Sequence, residues 1–408
     1  VMIYFVGKEY VNEKVGLLAA VMLAISPWHV HFSRVGFQLI ASVFWLLFTL
    51  YFIHKSFSKT KYVVLAMLGL LLTFFSYSTT KMYLPFLIIL HIFVYPKEWI
   101  KLYKNKFVIG VTIFSIVFLS LLLKPYLENG TFFQRWVQVD KKLSVEQVIQ
   151  AYRNHFSLDF LFITGDADFK NQQVKRHSIH GVGELYWFQL VFLAISFVYF
   201  LISKKERMKL LFWFLFLYIY PLGSIFTSVE PQATRSILGV IPFTVLTAYG
   251  IYKSVDLFKT AILKKLYIVV LSVVILVSTF LFIVALRNYP LTGAHYWGWQ
   301  YGYRQALAYV SDRRPLYKQI IITHRFNRGM ALLDFYNKEY NCNECVISSN
   351  PIEIDINKKQ LFVLRLEDIK EAATLYPELQ FINQQTIRLP NGNAELFIGE
   401  FIQHDLFF

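Results

Sequence analysis

Nine apolar runs constrain this chain more than any other feature of its sequence. A helix that crosses a membrane needs about 20 mainly apolar residues, and fewer when it is tilted or packed inside a bundle. The first and fourth runs are short and fit tilted or partly re-entrant helices. The pattern predicts an all-α polytopic membrane bundle with about nine spans. The runs are 15–27, 39–53, 62–76, 83–95, 107–123, 186–203, 210–226, 236–252 and 266–286.

The distribution of charge separates the apolar part from the end of the chain. Of the 408 residues 56% are hydrophobic and 16% are charged, against about 25% charged in ordinary soluble domains. The net charge is +15, yet residues 288–408 contain 12 basic and 13 acidic side chains. The whole basic excess therefore lies in residues 1–287. This pattern fits basic loops on one side of a membrane and argues against a nucleic-acid partner.

The basic residues alternate between successive loops. Clusters at 55–61, 97–106, 204–209 and 253–265 are cytoplasmic by the positive-inside rule. The intervening segments then lie outside, including a long loop at 124–185. We expect two domains: a transmembrane domain at 1–287 and an extracytoplasmic soluble domain at 288–408.

The tail at 288–408 is predicted to be a small α/β domain. It has no glycine-rich phosphate loop, nucleophile elbow or His/Cys metal set, which favours a folded cap. Cys342 and Cys345 form a CxxC, for which a local disulfide and two free thiols both stay open. Helices are predicted at 302–311 and 329–337, and strands at 319–323, 361–364, 379–382 and 396–401, the last after a turn at 390–393.

The first outer segment carries an unusual set of polar side chains. In a helix, His31, Arg34 and Gln38 are three or four residues apart and share one face, and His29 lies beside them. An arginine at a membrane surface suits bidentate binding of phosphate or carboxylate. The alternative is an interfacial belt with a snorkelling arginine.

Two further outer segments add Lys81, Tyr83 and Arg235. Arg235 directly precedes the run 236–252, so its guanidinium is expected near a helix N-terminus. The cation and the helix dipole both favour an anion there. The alternative is that Arg235 only anchors the span.

The long outer loop contributes acids and histidines. Asp166 and Asp168 are spaced like general-base or metal carboxylates, and Arg176, His177, His180 and Glu184 follow. Hard cations prefer more oxygen ligands, so no metal site is predicted. A capping and docking role is the alternative for most of this loop.

Five of these segments, taken in order, resemble the prokaryotic membrane glycosyltransferases of the GT-C superfamily, of the glycosyltransferase family 39 type. These are relatives of the protein O-mannosyltransferases and of the lipid A aminoarabinose transferase. The resemblance covers nearly the whole chain. Its motifs are "SPWHVHFSRVGF", "SYSTTKMYLP", "FLFITGDADF" with "RHSIHGVGELYWFQ", "PQATRSILGVIPF" and "YGYRQALAYV".

The resemblance implies an enzyme in the plasma membrane of a prokaryote. It implies inverting transfer of a sugar from a polyprenyl-phosphate donor to a protein, lipid or glycan acceptor at the outer face. By motif position Arg235 resembles the arginine that binds the donor phosphate, and Arg34 resembles the one that ends the first outer helix of this chain. The residues predicted to bind substrate are His29, Arg34, Lys81, Tyr83, Arg176, His177, Glu184 and Arg235.

Two departures from the family bear on catalysis. Gln38 stands where members of this branch often carry an acid. The general base of the family is an aspartate between its first two spans, and this chain is expected to be N-terminally truncated beyond that point and inactive alone. Loss of such a base slows a reaction by about 10² to 10⁴-fold. Asp166 and Asp168 are the only residues of this chain that are candidates to replace that base. Participation of a divalent cation in the reaction stays open.

Two other classes of protein compete with the enzyme. A transporter or flippase for a lipid-linked anion uses similar outer cations, but it normally has ionisable or broken-helix sites near the midplane. The runs contain few internal charges and no evident inverted repeat. A sensor whose tail binds a ligand needs fewer anchoring spans than nine.

Overall fold

The structure, a computed structural model, describes residues 1–129, 143–172, 175–293 and 296–403. The chain divides into two compact units, Val1–Ala285 and Leu286–Phe408. The sequence placed this division after residue 287. Parts of the predicted outer loop, at 130–142 and 173–174, lie outside the described residues.

The described part of the first unit is helical. Its elements are α1 (Met2–Tyr10), α2 (Glu13–Ile25), α3 (Pro27–Arg34), α4 (Leu39–Ser56), α5 (Val63–Ser76), α6 (Thr80–Val94), α7 (Pro96–Tyr103), α8 (Lys106–Glu128), α9 (Val145–Asn154), α10 (Gln189–Ile202), α11 (Lys204–Ile219), α12 (Val240–Ser254) and α13 (Ala261–Gly293), the last of which continues into the second unit.

Local sequence sets where several of these helices begin. The Asn12 side chain accepts a hydrogen bond from the amide of Val15 at 3.0 Å and caps α2. Ser26 caps α3 through the amide of His29, and Pro27 occupies the first helical position, where its missing N–H costs nothing. Ser144 and Gln147 form a reciprocal capping box at α9.

The number of candidate spans is smaller than the sequence predicted. Each predicted run contains a helix, but two long helical stretches bend at prolines, by 54° between α2 and α3 and by 100° between α6 and α7. Among the described residues four helices are long and apolar enough to cross a membrane, and the number rises to six if each bent pair is one span. The predicted nine spans are not confirmed. The four single helices are Leu39–Ser56, Lys106–Glu128, Ile237–Leu257 and Ala261–Gly293.

Helix α12 is the centre of the first unit. Its span is 89% buried, whereas the spans of α8 and α13 are 6% buried and present apolar side chains outward. Gly250 lets α12 approach α10 closely, because an added Cβ would collide with the carbonyl oxygen of Phe192. Small residues allow such close backbone contact between membrane helices.

The second unit is the predicted small domain with a sheet. Its five strands lie in the order β2-β1-β3-β5-β4; β1 is parallel to β2 and β3, and β5 is antiparallel to β3 and β4. Cys342 and Cys345 are buried and form a disulfide, one of the two predicted alternatives. The elements are α14 (Tyr296–Trp299), α15 (Tyr303–Ser311), β1 (Gln319–Ile322), α16 (Gly329–Tyr340), β2 (Cys345–Ile347), β3 (Gln360–Leu364), α17 (Leu366–Leu375), β4 (Leu379–Arg388) and β5 (Ala394–Gln403).

Replacing Gly250 by alanine tests the contact between α10 and α12. The new methyl group must push the two helices apart, so we expect Gly250→Ala to lower the free energy of unfolding by about 1–3 kcal/mol. The thermal midpoint of the protein in detergent measures this. Gly110→Ala in α8 is the matched control, because its Cβ would meet nothing within 4 Å. Equal midpoints for the two variants would contradict the close contact.

Candidate functional site

Helix α3 brings the first predicted cluster together. His31 is buried and Arg34 is exposed one turn later at the end of the helix, while His29 is half-buried near its start. The helix is fixed at its beginning, where the amide of Trp28 donates to the carbonyl oxygen of Glu184 at 3.2 Å. The first predicted cluster therefore lies against the end of the long loop, about 155 residues further along the chain.

The loop that carries Asp166 is held by its own polar groups. The amide of Asp166 donates to Glu184 Oε1 at 2.9 Å, and the amide of Ala167 donates to Ser178 Oγ at 2.7 Å. Asp168 accepts hydrogen bonds from His180 Nδ1 and from the amide of Gly181, both at 2.6 Å. Both oxygens of Asp168 are thus occupied within the loop.

Two basic residues of this loop face the first cluster. His31 Nε2 donates to the carbonyl oxygen of Arg176 at 2.9 Å. The Nδ1 atom of His177 lies 3.6 Å from Asp166 Oδ2, and Arg34 follows His31 by one turn of α3. The structure therefore places the backbone of Arg176 against the buried imidazole of His31, and the ring of His177 beside Asp166.

Asp166 connects this group to the segment of Arg235. Its side chain is completely buried. Oδ1 accepts from Gln172 Nε2 at 2.7 Å, and Oδ2 accepts from the amide of Ala233 at 2.6 Å. Asp166 thus reaches the backbone two residues before Arg235. A general base has to contact the proton it removes, and both oxygens of Asp166 already accept protein N–H groups.

The predicted residues of α6 take two different positions. Tyr83 is completely buried, and its hydroxyl lies 2.7 Å from the carbonyl oxygen of Arg235. Lys81 is half-buried, with Nζ 5.6 Å from the centre of the Phe74 ring. It lines a cavity of about 220 Å³ together with Gln38 and Tyr126. Tyr83 is therefore placed to hold backbone rather than to touch a ligand.

Glu184 is a buried acid in the middle of the site. Burial raises the pKa of its carboxyl well above the ordinary value, and the neighbouring charge of Asp166 raises it further. The hydrogen bond from the amide of Asp166 acts in the opposite direction and is the smallest of the three effects. The Glu184 carboxyl is consequently harder to ionise than that of an exposed glutamate.

Sequence reasoning missed three residues that build this site. Trp28 and Gln172 bind the backbone next to Arg235, at Ala233 and Pro231 respectively. Gly223 has no room for a Cβ beside the Tyr83 ring and the Arg235 carbonyl oxygen. Trp28 belongs to a quoted motif, but a tryptophan at a helix end is also typical of an interfacial belt. Neither Gln172 nor Gly223 carries a local signal.

The described residues contain no group of three or more histidines, cysteines or acids arranged to hold a metal ion.

No family model and no curated protein matches the chain. Among solved structures it is similar to the archaeal oligosaccharyltransferase AglB from Archaeoglobus fulgidus, whose structure holds an inhibitory peptide and a dolichol-phosphate. The identity is 11% and the TM-score is 0.48, over 100% of this chain and 62% of AglB. The chain thus spans less than two thirds of AglB, so its activity, donor and acceptor are matters of proposal.

The raised pKa of Glu184 predicts a pH dependence of stability. A carboxyl whose pKa is higher in the folded than in the unfolded protein destabilises the fold as pH rises above the unfolded value, about 4.3. Glu184→Gln cannot ionise and keeps an acceptor for the amide of Asp166. We expect the thermal midpoint of the unmodified protein to fall relative to that of Glu184→Gln as pH rises from 5 to 8.

The control for this comparison is Glu146→Gln, which removes an exposed acid on α9. A constant difference in midpoint between the unmodified protein and Glu184→Gln across this pH range would show that Glu184 does not resist ionisation.

Proposed function

We propose that this protein is a membrane glycosyltransferase that moves a sugar from a polyprenyl-phosphate donor to an acceptor at the outer face of the membrane. The single observation that carries the proposal is the junction of three segments. Hydrogen bonds join the segment of Arg34 to that of Arg176, and Asp166 to the segment of Arg235, and His177 Nδ1 lies 3.6 Å from Asp166 Oδ2. The three arginines are far apart in sequence. Helices apolar enough to cross a membrane belong to the same unit.

The charge at this junction suits a phosphate. Each of the three joined segments carries an arginine, whose guanidinium group stays protonated at any physiological pH, and burial makes the Glu184 carboxyl harder to ionise. Arg176 and Arg235 are half-buried, so the surrounding protein weakens their charges less than bulk water would. Arginine is also the side chain that matches phosphate geometry best. The anion expected here is a phosphate monoester or diester with an apolar tail.

Each residue then has a defined part in the transfer. An acceptor hydroxyl or amide attacks the anomeric carbon from the face opposite the phosphate. The bond between that carbon and the phosphate oxygen breaks, the phosphate leaves with the electron pair, and the acceptor proton passes to a base. Arg235 binds the leaving phosphate, with Arg34 and Arg176 beside it and Lys81 as a further cation. Asp166 and Asp168 are not proposed as the base, because protein donors occupy their oxygens.

The first test removes the central cation. Arg235→Ala loses a charge-assisted contact to phosphate, so we expect the affinity for a short-chain polyprenyl phosphate to fall about ten-fold or more. Arg235→Lys keeps the charge without the bidentate geometry and should lose less. The measurement is a titration of the protein in detergent, followed by assays of sugar transfer.

Arg207→Ala is the matched control, because Arg207 donates to the carbonyl oxygen of Phe200 at 2.9 Å and lies in a predicted cytoplasmic cluster. Binding by Arg235→Ala equal to that of the unmodified protein and of Arg207→Ala would refute the phosphate role. Movement of the donor across the bilayer without sugar transfer would favour the transporter instead.

A further inference from the structure

Four buried side chains hold the backbone of one short turn, residues 231–236, called here the Arg235 turn. The four come from three separate parts of the chain, and their exposed fractions are 0% for Trp28, Tyr83 and Asp166 and 6% for Gln172. At Ala233, the carbonyl oxygen accepts from Trp28 Nε1 at 3.0 Å and the amide donates to Asp166 Oδ2 at 2.6 Å. At Pro231, the carbonyl oxygen accepts from Gln172 Nε2 at 3.1 Å. At Arg235, the carbonyl oxygen lies 2.7 Å from the Tyr83 hydroxyl.

These contacts fix the turn on both sides of the arginine side chain. Within the turn, the amides of Arg235 and Ser236 both donate to the carbonyl oxygen of Gln232 at 3.1 Å. The external contacts add restraints at Pro231, at Ala233 and at Arg235 itself. The direction of the Arg235 Cα–Cβ bond is therefore set before any ligand arrives.

The surrounding structure makes room for this arrangement. The Tyr83 hydroxyl also lies 2.5 Å from the carbonyl oxygen of Tyr220, so its one proton is shared between two backbone acceptors. A Cβ at Gly223 would lie 2.5 Å from the Arg235 carbonyl oxygen and 2.6 Å from the Tyr83 hydroxyl. Side-chain contacts of this kind are more than a surface turn needs, since water satisfies the backbone of an ordinary exposed turn.

We propose that Asp166, Gln172, Trp28 and Tyr83 form a positioning clamp that holds Arg235 in the orientation required to bind the phosphate of the lipid donor. The proposal rests on the function proposed above. A side chain whose orientation is already fixed loses less conformational entropy when it binds, and fixed donors stabilise charge without reorganisation. The clamp therefore contributes to phosphate affinity through Arg235 and not by contact with the ligand.

Asp166→Asn is the sharpest single change. The amide side chain has one oxygen and one NH₂ group, whereas Asp166 accepts from two N–H donors. One donor then faces another donor, and the turn is released on one side. We expect the affinity for a short-chain polyprenyl phosphate to fall about five-fold, and the affinity for the corresponding uncharged polyprenol to stay unchanged. A general loss of structure would weaken both ligands.

A double-mutant cycle separates the clamp from other effects. In the Arg235→Ala protein the clamp has no guanidinium left to position, so Asp166→Asn should cause no further loss of phosphate affinity. Equal five-fold losses in both backgrounds would overturn the clamp while leaving the role of Arg235 intact. Unchanged affinity in Arg235→Ala alone would overturn the phosphate role of Arg235 and the clamp together.

Two further variants keep the test decisive if Asp166→Asn unfolds. Tyr83→Phe keeps the ring and removes only the hydroxyl next to the Arg235 carbonyl oxygen, and it should behave like Asp166→Asn in both backgrounds. Asp168→Asn is the matched control, because Asp168 also accepts two hydrogen bonds but only from its own loop. Unchanged phosphate affinity in Tyr83→Phe, or an equal loss in Asp168→Asn, would contradict the clamp.

Discussion

A backbone that leaves the helical conformation inside a helical bundle has to find hydrogen bonds outside its own segment. The Arg235 turn meets this constraint with buried side chains from α3, from α6 and from the loop between α9 and α10. Each of these contacts joins parts of the chain that are between 59 and 205 residues apart. The three segments therefore meet because the backbone N–H and C=O groups of one short irregular turn need hydrogen-bond partners.

The same constraint determines what the two buried acids of the loop contact. Asp166 accepts N–H groups from the Gln172 side chain and from the backbone of Ala233. Glu184 accepts one amide and is otherwise enclosed, so burial together with the charge of Asp166 raises its pKa. Burial with few donors makes a carboxyl resist ionisation, so Glu184 contributes less negative charge to the site than an exposed glutamate would.

Sequence patterns predicted the parts that depend on local chemistry. Apolar runs indicate helices because a helix in lipid buries apolar side chains over its whole length, and every run does contain one. The number of spans was harder, since bends at Pro27 and Pro96 depend on packing as well as on the proline. In the tail, β2 has only three residues and was not predicted, and the ten-residue helix α17 was not predicted either. The cations were found since charge is conspicuous in an apolar chain, while Gln172 and Gly223 act through contacts that no local pattern encodes.

The contacts of Asp166 bear on the role that its sequence position suggests. A pair of aspartates in an outer loop fits a general base, but a base needs an oxygen that can reach substrate. The N–H groups of Gln172 and Ala233 already occupy Asp166, and removing either would leave a buried donor without its acceptor. Proton transfer to Asp166 would thus weaken the hydrogen bonds that hold the turn of Arg235. If Arg235 binds the leaving phosphate, as proposed above, a carboxylate that holds this turn serves the reaction best when another residue takes the proton.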